Sequence, residues 1–328
     1  MKKKRLVISI LAAVTVAFFV RVVIFCVNDG IETVASIKKE KVPTVEITLN
    51  GTSLDEINAG DKSTKYYGNE VTFLIGDEKL SFSDVEIKGR GNSTWDTDKK
   101  PYQIKLPTKV DIWDAGREKK WLLLANKFDS THLRNDAALY LMGMLESDYA
   151  PEGNFVELYV DSEYIGLYYL TEKTEIGKNR INLKDENGIL VEIENLHGEG
   201  ETCYETRMRN CLIVKDLVVD DNEKVAMEEF LESFNALELA AAQGDYDKVM
   251  ELADVESLAK YYLTSEFSVN PDAYVSSFYF YKDNKDMKNI PGFNSKLFGD
   301  DNDKNNEEKL DDEEDNSSVI QNPLRDDI

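Results

Sequence analysis

The sequence predicts an α+β fold, in which antiparallel strands fill the first part of the chain and helices join them later. Three observations lead to this class. Apolar and polar residues alternate in segments such as Val45–Leu49 and Val71–Ile75, which is the period of a half-buried strand. From Leu133 onward, apolar residues recur at helical spacing. The length of 328 residues and the hydrophobic content of 42% allow one large domain or two small ones.

The N-terminal segment has the pattern of a membrane anchor. Met1–Arg5 is basic, and Leu6–Val27 is apolar and long enough to span a bilayer if Arg21 lies near one edge. A cleaved signal peptide, and hence a secreted protein, is the alternative. We favour an uncleaved anchor because no small-x-small cleavage site lies near the end of the segment. The basic N-terminus predicts an extracytoplasmic domain, although Lys38, Lys39 and Lys41 weaken this topology.

A glycine turn lies between two predicted strands, Val85–Lys88 and Tyr102–Leu106. Gly89 and Gly91 allow the positive φ angles of a tight turn. Five cations flank it: Lys88, Arg90, Lys99, Lys100 and Lys105. Such a turn can present backbone N–H groups and cations to an anion, most plausibly a phosphate. A hairpin with a solvated basic rim is the alternative, since a short glycine motif is weak evidence.

The remaining elements follow in order along the chain. Trp121–Ala125 is a buried strand or the base of the next helix, and that helix begins near Leu133. Further predicted strands are Phe155–Val160, Ile165–Leu170, Ile189–Ile193, Leu212–Lys215 and Phe278–Tyr281, and further helices are Asn222–Ala242 and Asp254–Ser268. No pattern is recognisable beyond Lys282, and Asp300–Ile328 is an acidic block that we expect to be disordered.

Charge and rare residues narrow the choice of partners and sites. The net charge of −24 makes nucleic acid an unfavourable partner and is compatible with basic substrates. Cys203 and Cys211 flank a polar segment that could turn a hairpin, and either a disulfide or two unpaired thiols is compatible with this spacing. The absence of a His/Cys cluster argues against zinc. We interpret the two histidines, His132 and His197, as structural.

Four ordered blocks between Pro43 and Lys282 resemble the signature of the CotH kinase family, the spore coat protein H group of atypical protein kinases. The order of four blocks is far more specific than any one of them. The blocks are Lys88–Trp95 with Lys99–Leu106, Trp121–Asn126 with Asp129 and Leu133–Asn135, Val156–Val160 with Tyr164–Glu172, and Glu266–Asp272 with Ser276–Tyr281.

The resemblance implies an atypical kinase-like, two-lobed fold with antiparallel sheets and packed helices, and the apolar N-terminal segment predicts one transmembrane helix before it. We therefore divide the chain into a membrane anchor or signal segment (residues 1–28), a linker (29–42), a kinase-like domain that is incomplete at its C-terminal end (43–299) and a disordered acidic tail (300–328). The implied reaction is transfer of phosphate from ATP, with Mg²⁺, to Ser or Thr of a coat or cell-surface protein. No part of the resemblance points to nucleic acid.

The resemblance also implies nucleotide-binding residues. Lys105 is expected to grip the nucleotide phosphates, because it lies on a strand beside the glycine turn, and Arg90 and Lys88 are secondary phosphate contacts. Glu172 ends a predicted hairpin where a kinase joins its lobes. It either touches the nucleoside, pairs with a lysine or forms a structural ion pair.

Asp272 is the expected catalytic carboxylate, with Ser276 as a supporting oxygen ligand or hydrogen-bonding group. Asp272 follows a predicted helix and precedes a buried strand, and sites are usually built at such element ends. A turn aspartate after proline is the structural alternative.

The sequence departs from the family after Lys282. The family continues with Gly-Pro-Val-Trp-Asp-Phe-Asp, whose carboxylates are expected to hold magnesium, whereas no such motif follows here. The metal ligands are therefore unknown, and the chain is expected to be an incomplete or divergent member. The alternatives to a kinase are a catalytically inactive, kinase-shaped surface binding or scaffold protein and, less favoured, an adhesin with an acidic surface.

Overall fold

The computed structural model describes residues 41–113, 115–195 and 202–283, and the backbone of residues 286–290. The predicted anchor, nearly all of the linker, His197 and the acidic tail lie outside these residues. Within the described part of the chain, no helix has the length and apolar character needed to cross a membrane.

Seven strands form a closed barrel in the order β1-β2-β3-β4-β5-β7-β6. β1 and β6 pair in parallel, with Thr44 opposite Glu157, so the prediction of purely antiparallel sheets is wrong at this seam. The seam joins strands more than 100 residues apart, which no local pattern reveals. The strands are β1 (Thr44–Thr48), β2 (Tyr66–Ile75), β3 (Glu78–Gly89), β4 (Tyr102–Val110), β5 (Glu118–Leu124), β6 (Gly153–Val160) and β7 (Glu163–Glu172).

Alternate residues of these strands fill the barrel, because side chains of a strand point to opposite faces in turn. Val85 and Ile104 are fully buried in this core, as are Trp121 and Leu158. The intervening residues of β3, β4 and β5, among them Lys105, therefore lie on the outer face. Trp121–Leu124 belongs to a strand rather than to the base of a helix.

A second sheet has the strand order β12-β11-β8-β10-β9. Its strands are β8 (Ile189–Ile193), β9 (Tyr204–Glu205), β10 (Cys211–Leu217), β11 (Phe278–Asp283) and β12 (Asp286–Ile290). No sequence pattern predicted an element beyond Lys282, where β12 pairs antiparallel with β11. Its sequence, Asp-Met-Lys-Asn-Ile, lacks the alternation that identified the other strands.

Five helices complete the described fold: α1 (Leu54–Ala59), α2 (Arg134–Met144), α3 (Glu223–Gln243), α4 (Tyr246–Leu252) and α5 (Val255–Ser268). The sequence predicted α2, α3 and α5 but not the two short helices. α1 begins at a capping box, in which Ser53 and Glu56 each bond the other's backbone N–H. Such a box was a recognisable start signal.

Helices cover one face of each sheet. α3 and α5 pack Phe230 and Tyr261 against Val191 and Phe280 of the second sheet. α2 lies on the outside of the barrel, where Leu139 and Met142 contact Leu122, Leu124 and Tyr169. The other face of the second sheet carries Glu192 and Tyr279, which interact electrostatically with Arg90.

Cys203 and Cys211 are joined by a disulfide, with their Cα atoms 5.4 Å apart. The bond closes the hairpin of β9 and β10. Of the two alternatives left open by the sequence, a disulfide or two unpaired thiols, the structure contains the disulfide.

Candidate functional site

A row of charged side chains crosses the outer face of the barrel. Glu86 on β3, Lys105 on β4 and Lys120 on β5 lie side by side in register. Lys88 follows Glu86 on the same face of β3, because it is two residues further along the strand. Lys65 adds a further cation and pairs with Glu86, with its Nζ atom 3.6 Å from a Glu86 oxygen.

Lys88 lies in a strongly cationic environment. Burial lowers the pKa of Lys88, and the nearby charges of Lys65, Arg90 and Lys120 lower it further. Only Glu86 opposes them. A bound anion would relieve this repulsion, as expected of a phosphate site.

The second sheet presents carboxylates on the face that its helices leave uncovered. Glu192 of β8 lies beside Tyr279 of β11 in register, and a Glu192 oxygen lies 2.7 Å from the Lys215 Nζ atom of β10. Burial raises the pKa of the Tyr279 phenol, and the charge of Glu192 and its hydrogen bond raise it further. The buried Glu192 carboxylate is thus held between a phenol and an ammonium.

Arg90 lies between the outer face of β3–β5 and the carboxylate-bearing face of the second sheet, which we call the two walls of the site. It follows β3 directly, and its guanidinium lies within electrostatic range of Glu192 and Tyr279. Burial lowers the pKa of Arg90, and those two groups oppose the shift. The buried Nη1 atom of Arg90 has no hydrogen-bond partner among the described residues. The buried hydroxyls of Ser93 and Thr94, in the same turn, also have none there.

The glycine turn needs Gly91 for two reasons. Its φ angle is +84°, and a Cβ atom there would stand 2.0 Å from the Thr94 hydroxyl. A short 3₁₀ helix, Ser93–Asp96, follows and buries Thr94 and Trp95. The turn is therefore compact, and it buries Thr94 and Trp95 while Asn92 and Asp96 remain exposed.

Lys99 and Lys100 are directed at the protein itself, contrary to the expectation that they face an anion. The Lys99 Nζ atom donates to the carbonyl oxygens of Ala125 at 2.8 Å and Leu167 at 2.5 Å. Lys100 donates to the Trp95 carbonyl and lies 4.6 Å from the centroid of the Trp95 ring.

Glu172 lies at the end of β7 in a buried ion pair with Arg180. Its second oxygen accepts a hydrogen bond from the Glu152 N–H at 3.0 Å. Burial raises the pKa of Glu172 to about 7, although Arg180 opposes the shift. The Arg180 guanidinium lies 5.1 Å from the centroid of the Trp121 ring. Of the three roles expected for Glu172, this arrangement is the structural ion pair, with arginine rather than lysine as partner.

The connector between the barrel and the second sheet, residues 173–188, is bonded to both. On the barrel side, the Lys120 Nζ atom lies 2.5 Å from a Glu175 oxygen. On the other side, the Ile176 N–H donates to Asp216 at 2.8 Å, and the Lys184 and Asp185 N–H groups donate to Asp283 at 2.9 and 2.8 Å. The connector therefore fixes the spacing of the two sheets.

Asp272 lies in the turn between α5 and β11. Its carbonyl oxygen accepts from the N–H groups of Val275 at 3.1 Å and Ser276 at 3.0 Å. The Ser276 hydroxyl lies 2.6 Å from a carboxylate oxygen of Glu194, which is buried just beyond β8 and interacts electrostatically with Tyr279. Ser276 thus ties the Asp272 turn to the carboxylate-bearing side of the second sheet.

The described residues contain no group of three or more His, Cys, Asp or Glu side chains arranged to hold a metal ion. Mg²⁺ commonly takes one or two carboxylates together with substrate phosphates. We assign no chemical step to a metal.

Sequence reasoning missed the carboxylates that the second sheet contributes to the candidate site. Glu192 interrupts the otherwise apolar strand Ile189–Ile193, and a lone carboxylate in a buried strand is a signal of a paired or functional charge. Lys120 and Glu175 were missed because an ion pair across 55 residues has no local pattern.

The elements define a mixed α/β protein with a basic, glycine-containing barrel edge facing a carboxylate-bearing sheet. The family model described as CotH kinase protein matches residues 87–326. The chain therefore belongs to the CotH kinase family, which confirms the resemblance seen in the sequence. A search of curated proteins returned no match.

Proposed function

We propose that this protein binds ATP between the outer face of β3–β5 and the carboxylate-bearing face of the second sheet. It transfers the terminal phosphate to Ser or Thr of a coat or cell-surface protein. Membership of the CotH kinase family supports a kinase-like function. In this proposal the barrel and the second sheet act as the two lobes of a kinase.

One observation carries the proposal: the buried Arg90 guanidinium has a nitrogen without a hydrogen-bond partner among the described residues. A buried donor that lacks an acceptor costs about 1–3 kcal/mol, and more when the group is charged. A phosphate oxygen satisfies such a donor with a strong, charge-assisted bond. The Ser93 and Thr94 hydroxyls, also buried without partners there, offer further donors in the same turn.

The other residues take roles that follow from charge and position. Lys105 and Lys88 stabilise the phosphates from the barrel face, since phosphoryl transfer depends mainly on positioning and charge neutralisation. Asp272 orients the attacking hydroxyl as its carboxylate accepts the hydrogen bond, and Ser276 holds the turn through Glu194. Glu172 does not contact the nucleotide in this proposal, and its ion pair with Arg180 holds the connector against the end of β7.

A catalytically inactive, kinase-shaped binding protein is the second candidate. The sequence favours it in one respect, because the acidic motif expected after Lys282 is replaced by an unrelated stretch. Under this alternative the cleft recognises a partner or a nucleotide without turnover.

The experiment measures ATP binding and autophosphorylation by the purified full-length protein, with and without Mg²⁺. We expect Arg90→Met to weaken ATP binding at least tenfold, about 1.4 kcal/mol. Lys79→Met, an exposed cation on β3, is the matched control and should bind like the wild type. Asp272→Asn should keep binding and lose phosphorylation. Binding without phosphorylation in the wild type would favour the inactive alternative, and no binding would refute the ATP site.

We further propose that residues 6–27 anchor the protein in the cell membrane with its main domain outside. A membrane-impermeant thiol reagent tests this topology in intact cells after mild reduction of Cys203–Cys211. Labelling is the expected result, and protection until the cells are lysed would contradict it. A secreted form would instead appear in the medium.

A further inference from the structure

Lys99 is the point at which three of the four sequence blocks meet. It belongs to the first block, and its ammonium donates to the carbonyls of Ala125 in the second and Leu167 in the third. The same ammonium lies 4.7 Å from the centroid of the Tyr168 ring, a favourable cation–π distance. One side chain thus ties the loop after the glycine turn to the end of β5 and the middle of β7.

The second block holds the first acceptor in place. Ala125 precedes Asn126, whose φ angle of 49° turns the chain sharply after β5. The Asn126 side chain donates to the His132 carbonyl at 3.0 Å and accepts from the Asn135 amide at 2.8 Å. These two asparagines therefore fix the end of β5 that presents the Ala125 carbonyl.

The third block leaves space for the lysine. A Cβ atom on Gly166 would stand 3.4 Å from the Lys99 Cε atom, in van der Waals contact with it, and Gly166 itself has a φ angle of +136°. The Tyr168 hydroxyl donates to the Lys100 carbonyl at 2.9 Å and so binds the same loop.

Hydrogen bonds within the loop connect Lys99 to Arg90. The Thr97 hydroxyl lies 2.8 Å from the Thr94 carbonyl and 2.9 Å from the Lys99 carbonyl. The Arg90 N–H donates to the Pro101 carbonyl at 3.3 Å and closes the loop at its base. Residues 90–101 are thereby one hydrogen-bonded unit, with Arg90 at one end and Lys99 near the other.

We infer that Lys99 is a positioning residue, which holds the glycine turn in the conformation that directs Arg90 into the cleft. Its effect on nucleotide binding rests on the proposed ATP site, whereas its effect on the loop does not. Lys99 touches only the protein, and its two carbonyl acceptors lie on strands of the barrel.

The charges around Lys99 give this role a pH dependence. Burial lowers the pKa of Lys99 to about 8, the neighbouring Lys127 lowers it further, and Asp98 opposes them. His132 also faces the ammonium, since the charge of Lys99 contributes to its lowered pKa. The attached loop therefore holds this proton less tightly than a detached loop, in which the pKa of a lysine is 10.5. The attachment should strengthen as the pH rises from about 8 towards 10.5.

Lys99→Met in the full-length protein tests the inference, with Lys127→Met as the matched control because the Lys127 pair with Asp98 is largely exposed. At pH 7 we expect Lys99→Met to speed amide exchange of residues 90–98 about tenfold and to weaken ATP binding about as much, equivalent to 1.4 kcal/mol. Lys127→Met should match the wild type in both measurements. Lys99→Arg, which keeps the charge and the donors, should restore part of the protection.

The pH profile separates positioning from general destabilisation. Between pH 7 and pH 9.5, the difference between wild type and Lys99→Met, compared at equal pH, should widen by at least about threefold in both readouts, since the attached loop is stabilised as Lys99 loses its proton. A difference that does not change with pH, or wild-type exchange in Lys99→Met, would overturn the inference. If the wild type binds no ATP, the proposed function fails, and amide exchange alone still decides the role of Lys99.

Discussion

Replacing Glu172 with leucine should destabilise the protein much more than replacing its partner Arg180 with methionine. The two side chains are 3% and 0% exposed, so neither charge is solvated. Removing one partner of a buried ion pair costs about 3–5 kcal/mol. Arg180 cannot lose its proton, whereas Glu172 can accept one because burial already raises its pKa to about 7. In Arg180→Met the remaining Glu172 can therefore become neutral by binding a proton, whereas in Glu172→Leu the remaining Arg180 stays charged.

Urea denaturation at pH 7 measures both variants. Lys127→Met serves as the control, because its ion pair with Asp98 is exposed and such pairs contribute about 0–1 kcal/mol. We expect a loss of about 3–5 kcal/mol for Glu172→Leu and a clearly smaller loss for Arg180→Met. Equal losses, or a loss below 1 kcal/mol for Glu172→Leu, would refute the reasoning.

The pH dependence provides an independent check. The pKa of Glu172 rises from 4.5 to about 7 on folding, so the folded state holds this proton more tightly. The stability from this group is fully present below pH 4.5 and is lost as the pH rises through 7, by at most about 3 kcal/mol. The gap between wild type and Glu172→Leu should therefore be wider at pH 5 than at pH 8. A gap that widens with rising pH would contradict the assignment.

Four further substitutions have defined outcomes in thermal unfolding. Gly91→Ala should cost about 1–3 kcal/mol, because its φ angle of +84° and the Thr94 contact oppose a side chain. Gly143→Ala should be neutral or stabilising by up to about 1 kcal/mol, since it lies in α2 with nothing near its Cβ position; equal effects of the two would contradict this account. Cys211→Ser should cost about 2 kcal/mol by opening the hairpin loop, and reducing agent should then no longer alter the melting temperature. Ser276→Ala should cost about 1–3 kcal/mol by removing the hydroxyl that binds buried Glu194; an unchanged melting temperature would show that the bond is dispensable.

The local elements were largely predictable, because alternation and helical spacing are properties of short segments. The strands around the glycine turn and the helix after Leu133 lie close to where these patterns put them. The helical spacing did not show which apolar residues of a helix are buried against the rest of the protein. Tyr140 and Met144 of α2 match the helical spacing and yet are 69% and 53% exposed.

The tertiary features had no local signal. The parallel seam of β1 and β6 closes the barrel between distant segments, and β12 is a strand by virtue of its pairing with β11. The same applies to the candidate site. Arg90 and Lys105 could be selected from the family resemblance, whereas Lys120 becomes a neighbour of Lys105 only through the pairing of β4 with β5, and Glu192 a neighbour of Arg90 only when the second sheet is placed beside the barrel.

The doubly bonded connector, residues 173–188, has a kinetic consequence. Its contacts with Lys120 on one side and Asp216 on the other hold both walls at their working separation before any ligand arrives. If the proposed ATP site is correct, nucleotide binding needs no prior closing motion, and the observed association rate should increase in proportion to nucleotide concentration without levelling off. The association rate would then be set by diffusion into an open site, and the residence time by the proposed phosphate contacts.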